Sequence, residues 1–324
     1  MRAVVIDRLG SSQVLHMARV PKPRPGPGEV LIQVHYAGVN PADWKCREGH
    51  LAPFITYRFP FVLGFDLAGT VQAWGADVEG FCRGQAVFAQ SDVGNGKWGS
   101  YAEYTCVEQQ SVVPMPNNLS FAQAAAVPTP ALAAWAGLFD DGGLQAGHKV
   151  LVHGGGAAVG TFAIQFAKLA GARVATTCGA DKQGYVQSLG AELAIDYRTQ
   201  DIHRSLRAWS ADGVDLVLDC VGGASLANSL ELLRPGGILV SILTLNPGET
   251  GPDHAAAARR GLRSAVTYSK MPSGKTLNQI AALLCSGRVQ PPPIEILALE
   301  QVANAHDRLQ RGEARTKMVL QVLD

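Results

Sequence analysis

The pattern of hydrophobic and polar positions changes near residue 120. Before that point, short runs rich in Val, Ile and aromatic residues are separated by Pro- and Gly-rich segments, such as residues 21–29. This pattern is typical of strands joined by turns. It predicts a mixed, largely β domain, with strands at 4–6, 29–36, 68–73 and 86–89.

Beyond residue 120, strand-like runs alternate with helical ones as far as about residue 270. A capping-box pattern, Ser120 with Gln123, precedes an alanine-rich run where this region starts. The predicted strands lie at 150–153, 173–177, 193–195, 214–219 and 237–241, with a sixth near 265–268. The predicted helices lie near 159–170, 181–189, 200–208, 224–233 and 254–262. Continuous apolar strands that alternate with helices indicate a parallel, doubly wound sheet.

The last part of the chain differs again, with helices predicted at 276–286 and 299–311 and a closing strand at 317–322. The PPP segment at 291–293 predicts a loop. We expect this tail to pack on the first domain. The expected fold is therefore α/β, with a mainly β domain of residues 1–121 plus 271–324 and a doubly wound domain of residues 122–270.

Composition limits the classes of function that this chain can have. Its 324 residues are 47% hydrophobic and 17% charged, which is enough apolar material for folded cores and excludes a disordered chain. A net charge of +1 provides no basic surface, so neither nucleic acid nor a membrane is an expected partner. Because we find no signal peptide and no apolar span, we expect a cytoplasmic protein. Six scattered cysteines without a C-x-x-C pair predict buried thiols rather than disulfides.

A glycine-rich turn stands between the first strand and the first helix of the predicted doubly wound sheet. The spacing Gly154-x-x-Ala157-x-x-Gly160 is a variant of the dinucleotide fingerprint G-x-G-x-x-G. Small residues let the backbone approach a pyrophosphate, and the helix N-terminus supplies free N–H groups and a positive dipole end. The alternative is a glycine-rich turn that binds nothing. The predicted dinucleotide site consists of Gly154, Gly155, Gly156, Ala157, Ala158, Val159 and Gly160.

The residues after the second strand of this sheet discriminate between the two nicotinamide cofactors. An NAD site usually has Asp or Glu at the tip of this strand, about 20 residues after the motif. Here the strand ends at Cys178 without an acid, and Asp181 follows only beyond the tip. Lys182, Tyr197 and Arg198 are placed in the sequence so that they can surround a 2′-phosphate. We therefore predict NADPH as the cofactor, with Cys178, Lys182 and Tyr197 in its site; the alternative for Lys182 is a solvated lysine at a helix start.

Segments along nearly the whole chain resemble the zinc-independent quinone oxidoreductases, the zeta-crystallin-like group of the medium-chain dehydrogenase/reductase superfamily. These segments are AGVNPADWKCREG (37–49), PFVLGFDLAGTVQAWGADV (60–78), GSYAEY (99–104), AAW (133–135), LVHGGGAAVG (151–160), LGAELAIDYR (189–198), DLVLDCVGG (215–223), LRPGGILVSI (233–242) and RTKMVL (315–320). The resemblance implies a GroES-like catalytic domain, a Rossmann domain and a homodimer. It also implies that Lys182 and Tyr197 bind the NADPH 2′-phosphate and that Lys317, in the tail motif, belongs to the cofactor site.

Three positions depart from the pattern of this family. Ala157 replaces the usual Gly and narrows the space beside the pyrophosphate by one methyl group. Ala133 stands where many members have Thr, which removes a hydroxyl group expected near the nicotinamide; Thr129 is a candidate to replace it. Thr316 stands where the family has Gly before Lys317. These departures affect individual contacts to the cofactor rather than the binding of the cofactor itself.

Zinc-containing relatives carry metal ligands at positions where this chain has other residues. Asn40 stands where those relatives have a ligand Cys, and Gly-Phe-Asp (64–66) stands where they have Gly-His-Glu. A structural zinc lobe needs four closely spaced cysteines, but only Cys82 and Cys106 lie between residues 80 and 130. We therefore predict no metal. Without a Lewis acid, hydride delivery suits acceptors that delocalise the resulting charge, which are quinones and α,β-unsaturated carbonyls.

The catalytic candidates are Asn40, Asp43 and Lys45, in the segment that the resemblance places at the active site. We expect Asn40 to donate to the substrate oxygen or to fix the cofactor, and Asp43 to anchor the loop. Lys45 is expected to stabilise or protonate the developing oxyanion, with a surface lysine as the alternative. Leu243 and Thr244 follow the fifth strand and are expected near the nicotinamide, because ligands bind at the carboxyl ends of such strands.

The leading functional hypothesis is an NADPH:quinone oxidoreductase that acts on a small-molecule quinone. A close alternative is an NADPH-dependent enone or alkenal reductase that acts on the carbon–carbon double bond. A catalytically idle relative that binds NADPH is an alternative of a different class, and an enoyl reductase for carrier-bound acyl chains is a further one.

Overall fold

Both ends of the chain contribute to one unit, and the middle of the chain forms another. A computed structural model describes residues 1–94, 96–243 and 251–323. Met1–Thr129 and Met271–Asp324 belong to the first unit, and Pro130–Lys270 form the second. Helix Phe121–Ala125, which the sequence analysis assigned to the middle domain, contacts strands of the first unit.

Among the described residues, the N-terminal part of the first unit consists of eight strands of 2 to 10 residues and two short helices. The strands are β1 (Arg2–Ile6), β2 (His16–Arg19), β3 (Glu29–Gly38), β4 (Phe61–Val62), β5 (Asp66–Trp74), β6 (Ala86–Gln90), β7 (Tyr104–Glu108) and β8 (Val112–Pro114). The helices are α1 (Pro41–Arg47) and α2 (Phe121–Ala125). The Gln123 N–H donates to Ser120 Oγ at 3.2 Å and the Ser120 N–H donates to Gln123 Oε1 at 3.0 Å, so the predicted capping box is confirmed.

The second unit alternates strands with helices. Helix α3 (Pro128–Trp135) begins in the first unit and ends in the second. It is followed in chain order by β9 (Lys149–His153), α4 (Ala158–Leu169), β10 (Arg173–Cys178), α5 (Gln183–Ser188), β11 (Leu193–Asp196), α6 (Ile202–Trp209), β12 (Val214–Asp219), α7 (Ala224–Asn228), β13 (Leu233–Ile242), α8 (His254–Arg259) and β14 (Arg263–Thr267).

The strands of the second unit form one parallel sheet in the order β11-β10-β9-β12-β13-β14. This is the strand order of dinucleotide-binding sheets, so the predicted Rossmann fold is confirmed. Val150, Leu151 and Val152 in the middle of β9 are fully buried. Because both faces of such a sheet are covered, its strands are continuous apolar runs rather than alternating ones.

Two predicted boundaries in the second unit were wrong. The helix predicted over 224–233 ends at Asn228, and a 3-10 turn over Ser229–Leu232 follows it. Strand β13 begins at Leu233 and not at residue 237, because Leu233 pairs with Val214 of β12 ahead of a shift in register. Pairing with a neighbouring strand therefore overrides the local turn signal of Pro-Gly-Gly (235–237).

The tail adds two helices and two strands, which are α9 (Gly274–Cys285), β15 (Ile294–Ala298), α10 (Val302–Gln310) and β16 (Lys317–Gln321). Strand β16 is antiparallel to β3, with Val319 opposite Gly38. The last strand of the chain thereby lies beside the segment that leads into α1.

The sheets of the first unit contain strands that the hydrophobic pattern did not predict. The larger sheet has the order β15-β16-β3-β5-β6-β8, with β7 also paired to β3, and a smaller sheet has the order β2-β1-β4. The strands missed in the sequence were β2, β4, β7, β8 and β15, each of five residues or fewer. Strands this short are defined by their pairing partners more than by their own sequence.

Candidate active site

The glycine-rich turn of the second unit joins β9 to α4 at the carboxyl edge of the sheet. Gly154 has a φ of +79°, which is a left-handed backbone conformation that favours glycine. Its N–H donates to Thr177 Oγ1 at 3.2 Å, and the Gly155 N–H donates to the Thr177 carbonyl at 3.0 Å, so the turn is tied to the end of β10. A Cβ on Gly160 would lie 2.4 Å from the Gly154 carbonyl oxygen. Only glycine therefore lets α4 begin this close to the turn.

The N-terminus of α4 provides the donors that a pyrophosphate requires. Ala157 is the N-cap residue, and it offers no side-chain acceptor to the first N–H groups of the helix, at Ala158, Val159 and Gly160. These groups and the positive end of the helix dipole favour an anion. Ala157 has a φ of −92°, which alanine adopts without strain, and its side chain is exposed. The methyl group that departs from the family pattern thus needs no backbone adjustment.

Two basic side chains and a tyrosine lie beside the turn at the ends of β10 and β11. A Cβ on Gly156 would lie 3.1 Å from Lys182 Cβ, which places the stem of this lysine against the turn. A Cβ on Gly179, at the tip of β10, would lie 3.5 Å from Arg198 Nη1. The Arg198 guanidinium lies 5.2 Å from the ring centroid of Tyr197, whose side chain is 52% exposed. The structure therefore brings together the three residues that the sequence proposed around a 2′-phosphate.

The other predicted cofactor residues of this unit also lie at the carboxyl edge. Cys178 is the last residue of β10, and its burial raises the pKa of its thiol, which is therefore protonated at neutral pH. Asp181 Oδ1 lies 2.8 Å from the Cβ that Gly179 would carry, so one carboxylate stands among the basic groups. Leu243 follows β13 and its N–H donates to the Thr267 carbonyl at 2.8 Å. The remaining predicted residue, Thr244, lies outside the described residues.

In the first unit, Lys317, Asn40 and Asp66 form a buried group that joins three segments distant in the sequence. Lys317 Nζ donates to the Val39 carbonyl at 3.0 Å and to Asn40 Oδ1, and it lies 3.7 Å from Asp66 Oδ2. Asn40 Nδ2 in turn donates to Asp66 Oδ2 at 2.8 Å. Because an ammonium group can only donate, Lys317 fixes the orientation of the Asn40 amide. Lys317, which the sequence assigned to the cofactor, directs its ammonium group to these acceptors.

Asp66 also accepts two hydrogen bonds from Thr129, at the start of α3. The Thr129 N–H donates to Asp66 Oδ1 at 2.9 Å, and the Thr129 hydroxyl donates to the same oxygen at 2.6 Å. Burial raises the pKa of Asp66, and the Lys317 ammonium opposes this shift. Burial conversely lowers the pKa of Lys317, and the Asp66 carboxylate opposes that shift. The ammonium and the carboxylate therefore each stabilise the charged form of the other. The Thr129 hydroxyl proton therefore goes to Asp66, so Thr129 can meet a nicotinamide only as an acceptor.

Asp43 ties the start of α1 to the segment that precedes β5. Its Oδ2 accepts the Asn40 N–H at 2.6 Å, and its Oδ1 accepts the Phe65 N–H at 3.1 Å. The carboxyl group is fully buried, and burial raises the pKa of Asp43 to about 7. Asn40 is at the same time the N-cap residue of α1. This geometry is that of a loop anchor, which is the role the sequence suggested for Asp43.

Lys45, the third catalytic candidate, is not a surface lysine. It lies in α1 with 7% of its surface exposed, which excludes the alternative that Lys45 is a solvent-exposed lysine without a role in the site. Its ammonium lies 5.3 Å from the ring centroid of Trp44. Asp43 and Lys45 are two positions apart on a helix, so their side chains do not face each other.

Sequence reasoning missed two buried residues of this site. The Tyr101 hydroxyl lies 3.2 Å from His306 Nε2, and both side chains are fully buried. Tyr101 stands in the GSYAEY segment and His306 in α10, so nothing in their spacing relates them to α1. The family motif was the only signal for Tyr101, and no local signal existed for His306.

At the positions where zinc-containing relatives carry metal ligands, this chain has groups that are hydrogen-bonded to other residues of the site. Asn40 contacts Asp66 and Lys317, and Phe65 contributes its backbone N–H to Asp43. Within residues 1–94, 96–243 and 251–323, no group of three or more His, Cys, Asp or Glu side chains is arranged to hold a metal ion.

Comparison with known proteins identifies the family of this chain. Residues 26–117 match the alcohol dehydrogenase GroES-like domain, and residues 189–320 match a family described as zinc-binding dehydrogenase. A protein of Danio rerio named NAD(P)H oxidoreductase RTN4IP1, mitochondrial, is 31% identical over 100% of this chain and 92% of its own length. The quinone oxidoreductase of Sus scrofa is 30% identical over 99% of this chain and 97% of its own length. This chain belongs to the quinone oxidoreductase group of the medium-chain dehydrogenase/reductase superfamily.

As a member of this superfamily, the chain is an oxidoreductase of an NAD(P)H-dependent family. A solved structure of the superfamily, described as an NAD-dependent alcohol dehydrogenase, is similar to it with a TM-score of 0.90, at 32% identity and 100% coverage of both chains. The GroES-like domain and the Rossmann domain that the resemblance implied are thus confirmed. Among the described residues, no helix combines the length and the apolar character needed to cross a bilayer.

Proposed function

We propose that this oxidoreductase is a zinc-independent, NADPH-dependent reductase of quinones. The observation that carries the proposal is the buried group of Lys317, Asn40 and Asp66. Where metal-dependent relatives need a Cys ligand, this chain has an amide whose oxygen already binds an ammonium group. An amide and an ammonium do not make a zinc site. The likeness to quinone oxidoreductases along nearly the entire chain supports the same choice of substrate.

NADPH fits the residues of the second unit. The uncapped N–H groups of α4 and the Gly154 turn would hold the pyrophosphate, and Lys182, Tyr197 and Arg198 would surround the 2′-phosphate. When bound, the cofactor supplies a hydride. This region carries two basic groups, Lys182 and Arg198, and one carboxylate, Asp181. The excess of positive charge favours the phosphorylated cofactor over NADH.

The residues of the first unit would act on the oxygen that becomes charged. A quinone accepts the hydride and one proton, which yields the hydroquinone and the oxidised cofactor. The amide of Asn40 has two protons, of which Asp66 accepts one; we assign the other to the substrate oxygen. Lys45 is the proposed source of positive charge, and Asp43 the anchor that keeps Asn40 in position.

A panel of acceptors tests this proposal. With NADPH as the donor, we expect turnover of simple benzoquinones and naphthoquinones that does not change after treatment with a zinc chelator. Short alkenals and alkenones serve as the comparison set, since the alternative reductase would prefer them. Tight NADPH binding without turnover of any acceptor would favour the idle relative and overturn the proposal.

Lys182 provides the test of cofactor choice. Because a charge-assisted hydrogen bond contributes about 1.5–3 kcal/mol, we expect Lys182→Ala to raise KM for NADPH by about 10-fold or more. KM for NADH should not change, since NADH has no 2′-phosphate. Lys168→Ala, on the exposed end of α4, is the matched control. Steady-state kinetics with both cofactors measure the effect; an equal loss for NADPH and NADH would contradict the assignment.

The homodimer and the cytoplasmic location remain proposals that come from the resemblance and from the sequence. Sedimentation of the purified chain measures the first, and imaging of the tagged protein in its own cells measures the second.

A further inference from the structure

The two oxygens of the Asp66 carboxylate are held by different parts of the first unit. Asp66 Oδ2 accepts the Asn40 amide at 2.8 Å. Asp66 Oδ1 accepts the backbone N–H and the hydroxyl of Thr129, at 2.9 and 2.6 Å. Gln90 Nε2 donates in turn to the Thr129 hydroxyl oxygen at 2.9 Å. A continuous line of hydrogen bonds therefore runs from Gln90 through Thr129 and Asp66 to Asn40.

The pairing of two strands with the start of a helix creates this line. Asp66 is the first residue of β5 and lies directly opposite Gln90, the last residue of β6, in an antiparallel pair. Side chains at opposite positions of such a pair leave the sheet on the same face. Thr129, in the first turn of α3, is hydrogen-bonded to both of them. Asp66 is fully buried and Gln90 is 4% exposed, so these bonds are shielded from water.

The carboxylate determines the direction of each hydrogen bond. Since a carboxylate can only accept, the single hydroxyl proton of Thr129 goes to Asp66, and Gln90 must present its NH2 group to the Thr129 oxygen. The surroundings of Asp66 favour the ionised form. Burial raises the pKa of Asp66, but the Lys317 ammonium lowers it. The hydrogen bonds from Thr129 and Asn40 lower this pKa further.

The Lys317 ammonium makes the rotation of this carboxylate important. Lys317 Nζ lies 3.7 Å from Asp66 Oδ2, while it donates to Asn40 Oδ1. A carboxylate rotates easily about its last side-chain bond, and a cation this close attracts both of its oxygens. The two hydrogen bonds that Thr129 donates to Oδ1 oppose that rotation. Without the hydroxyl, the carboxylate is freer to turn toward Lys317 and to release the Asn40 amide.

We propose that Thr129 and Gln90 are positioning residues, which fix the rotation of the Asp66 carboxylate and thereby hold the Asn40 amide in the orientation that hydride transfer requires. Asp66 accepts one amide proton of Asn40, so the direction of the other, which is assigned to the substrate oxygen, depends on where the carboxylate lies. This inference rests on the proposed function of Asn40. Neither Thr129 nor Gln90 needs to touch the substrate.

Thr129→Val keeps the shape of the side chain and removes its hydroxyl. We expect kcat with NADPH and benzoquinone to fall by about 10-fold, because a hydrogen bond to a charged group is lost. KM for NADPH should stay within about 2-fold of the wild type, since the lost interaction acts on the transition state. Thr129→Ser retains the hydroxyl and should keep kcat within about 3-fold of the wild type.

Two kinetic results would overturn the proposal. If Thr129→Ser is as slow as Thr129→Val, the effect comes from the packing of the methyl group. If the loss in Thr129→Val appears in KM for NADPH and not in kcat, the hydroxyl acts on the cofactor.

Gln90→Leu tests the other step of the line. Alone, it should lower kcat by about 3-fold, because the Thr129 oxygen loses the donor that directs its proton to Asp66. Added to Thr129→Val, it should cause no further loss, since Gln90 acts through the hydroxyl. Losses that multiply in the double variant would contradict the order of residues in the line.

Thr105→Val is the matched control. Thr105 in β7 is fully buried, and its hydroxyl donates to the Trp98 carbonyl at 2.7 Å. This variant loses a buried hydroxyl of the same unit, so it should leave kcat unchanged whatever its effect on the melting temperature. A purely structural role of Thr129 would give the same pattern in Thr129→Val, and that pattern would overturn the proposal.

Exchange of the Asn40 side-chain amide protons with water needs no turnover. NMR of protein labelled with nitrogen-15 in asparagine should show slow exchange in the wild type and in Thr129→Ser, and exchange faster by at least about 10-fold in Thr129→Val. Equal rates in the three proteins would refute the positioning role. Failure of the proposed function is a separate result, in which the wild type itself turns over no acceptor.

Discussion

Replacement of Lys317 with Met should lower the free energy of unfolding by about 3–5 kcal/mol, because it leaves the fully buried Asp66 without its counter-charge. Methionine keeps the apolar length of the lysine stem, so the loss reports the ammonium group more than the packing. The Asn40 amide loses the donor that fixes its orientation at the same time. We therefore expect kcat to fall in the fraction of the protein that remains folded.

The loss in Lys317→Met should depend on pH with a defined sign. Without the ammonium, burial drives Asp66 to take up a proton, which costs about 1.4 kcal/mol for each pH unit between its ordinary pKa of 3.8 and its raised pKa in the folded variant. The variant should therefore be destabilised more at pH 8 than at pH 5. Denaturation by urea and hydrogen exchange of the amides in β5 and β16 measure the loss.

Two variants control for other causes. Arg173→Met removes an ion pair with Glu192 whose side chains are 48% and 32% exposed, and it should change the stability by no more than about 1 kcal/mol. Asp66→Asn added to Lys317→Met removes both buried charges and should recover part of the loss. A single variant as stable as the wild type at pH 8 would show that Lys317 and Asp66 do not depend on each other.

Replacement of Gly160 with Ala should abolish tight binding of NADPH. The added Cβ would lie 2.4 Å from the Gly154 carbonyl oxygen and 2.5 Å from Gly155 Cα, so α4 must move away from the turn. A forced shift of packed backbone costs about 1–3 kcal/mol of stability. The N–H groups of α4 move with the helix, and we expect the Kd for NADPH to rise by at least about 10-fold. Fluorescence titration of bound NADPH measures this change.

Gly184→Ala is the matched control for Gly160→Ala. Gly184 also lies in a helix, α5, but a Cβ added there meets no atom within 4 Å. Both changes gain the same helix propensity, about 1 kcal/mol, so the difference between them reports the contact at the turn. The control should bind NADPH normally with equal or higher stability. Normal binding in Gly160→Ala would show that the turn does not require glycine there.

Much of the second unit could be predicted because its signals are local. The turn after His153, the apolar runs of β9 and β12 and the basic residues Lys182 and Arg198 all lie within single β-α repeats. A parallel sheet then places the carboxyl ends of these strands at one edge. A residue that follows a strand in the sequence can therefore be assigned to the site without knowledge of the fold. The boundary of β13 failed for the opposite reason, since the pairing of Leu233 with Val214 is not a local property.

The first unit shows where sequence reasoning reaches its limit. We identified Asn40, Asp43 and Lys45 as candidates from one segment and one family motif. The residues that contact this segment from distant parts of the chain could not be identified in the same way. Lys317 is 277 positions from Asn40, and His306 is 259 positions from Arg47. No spacing rule relates residues at such distances, because β16 reaches α1 only by pairing with β3.

By itself, the sequence determined the class of fold, the glycine turn, the basic residues around it and the residues that replace a zinc site. Those features depend on local periodicity and on which functional groups a side chain carries. Only the tertiary structure decided what the buried charges do. It directs Lys317 to Asn40 and Asp66, and it brings Arg47 and Tyr101 within hydrogen-bond distance of His306. The physical reason is that buried charge must be compensated within hydrogen-bond distance, and the fold alone determines which residues come that close.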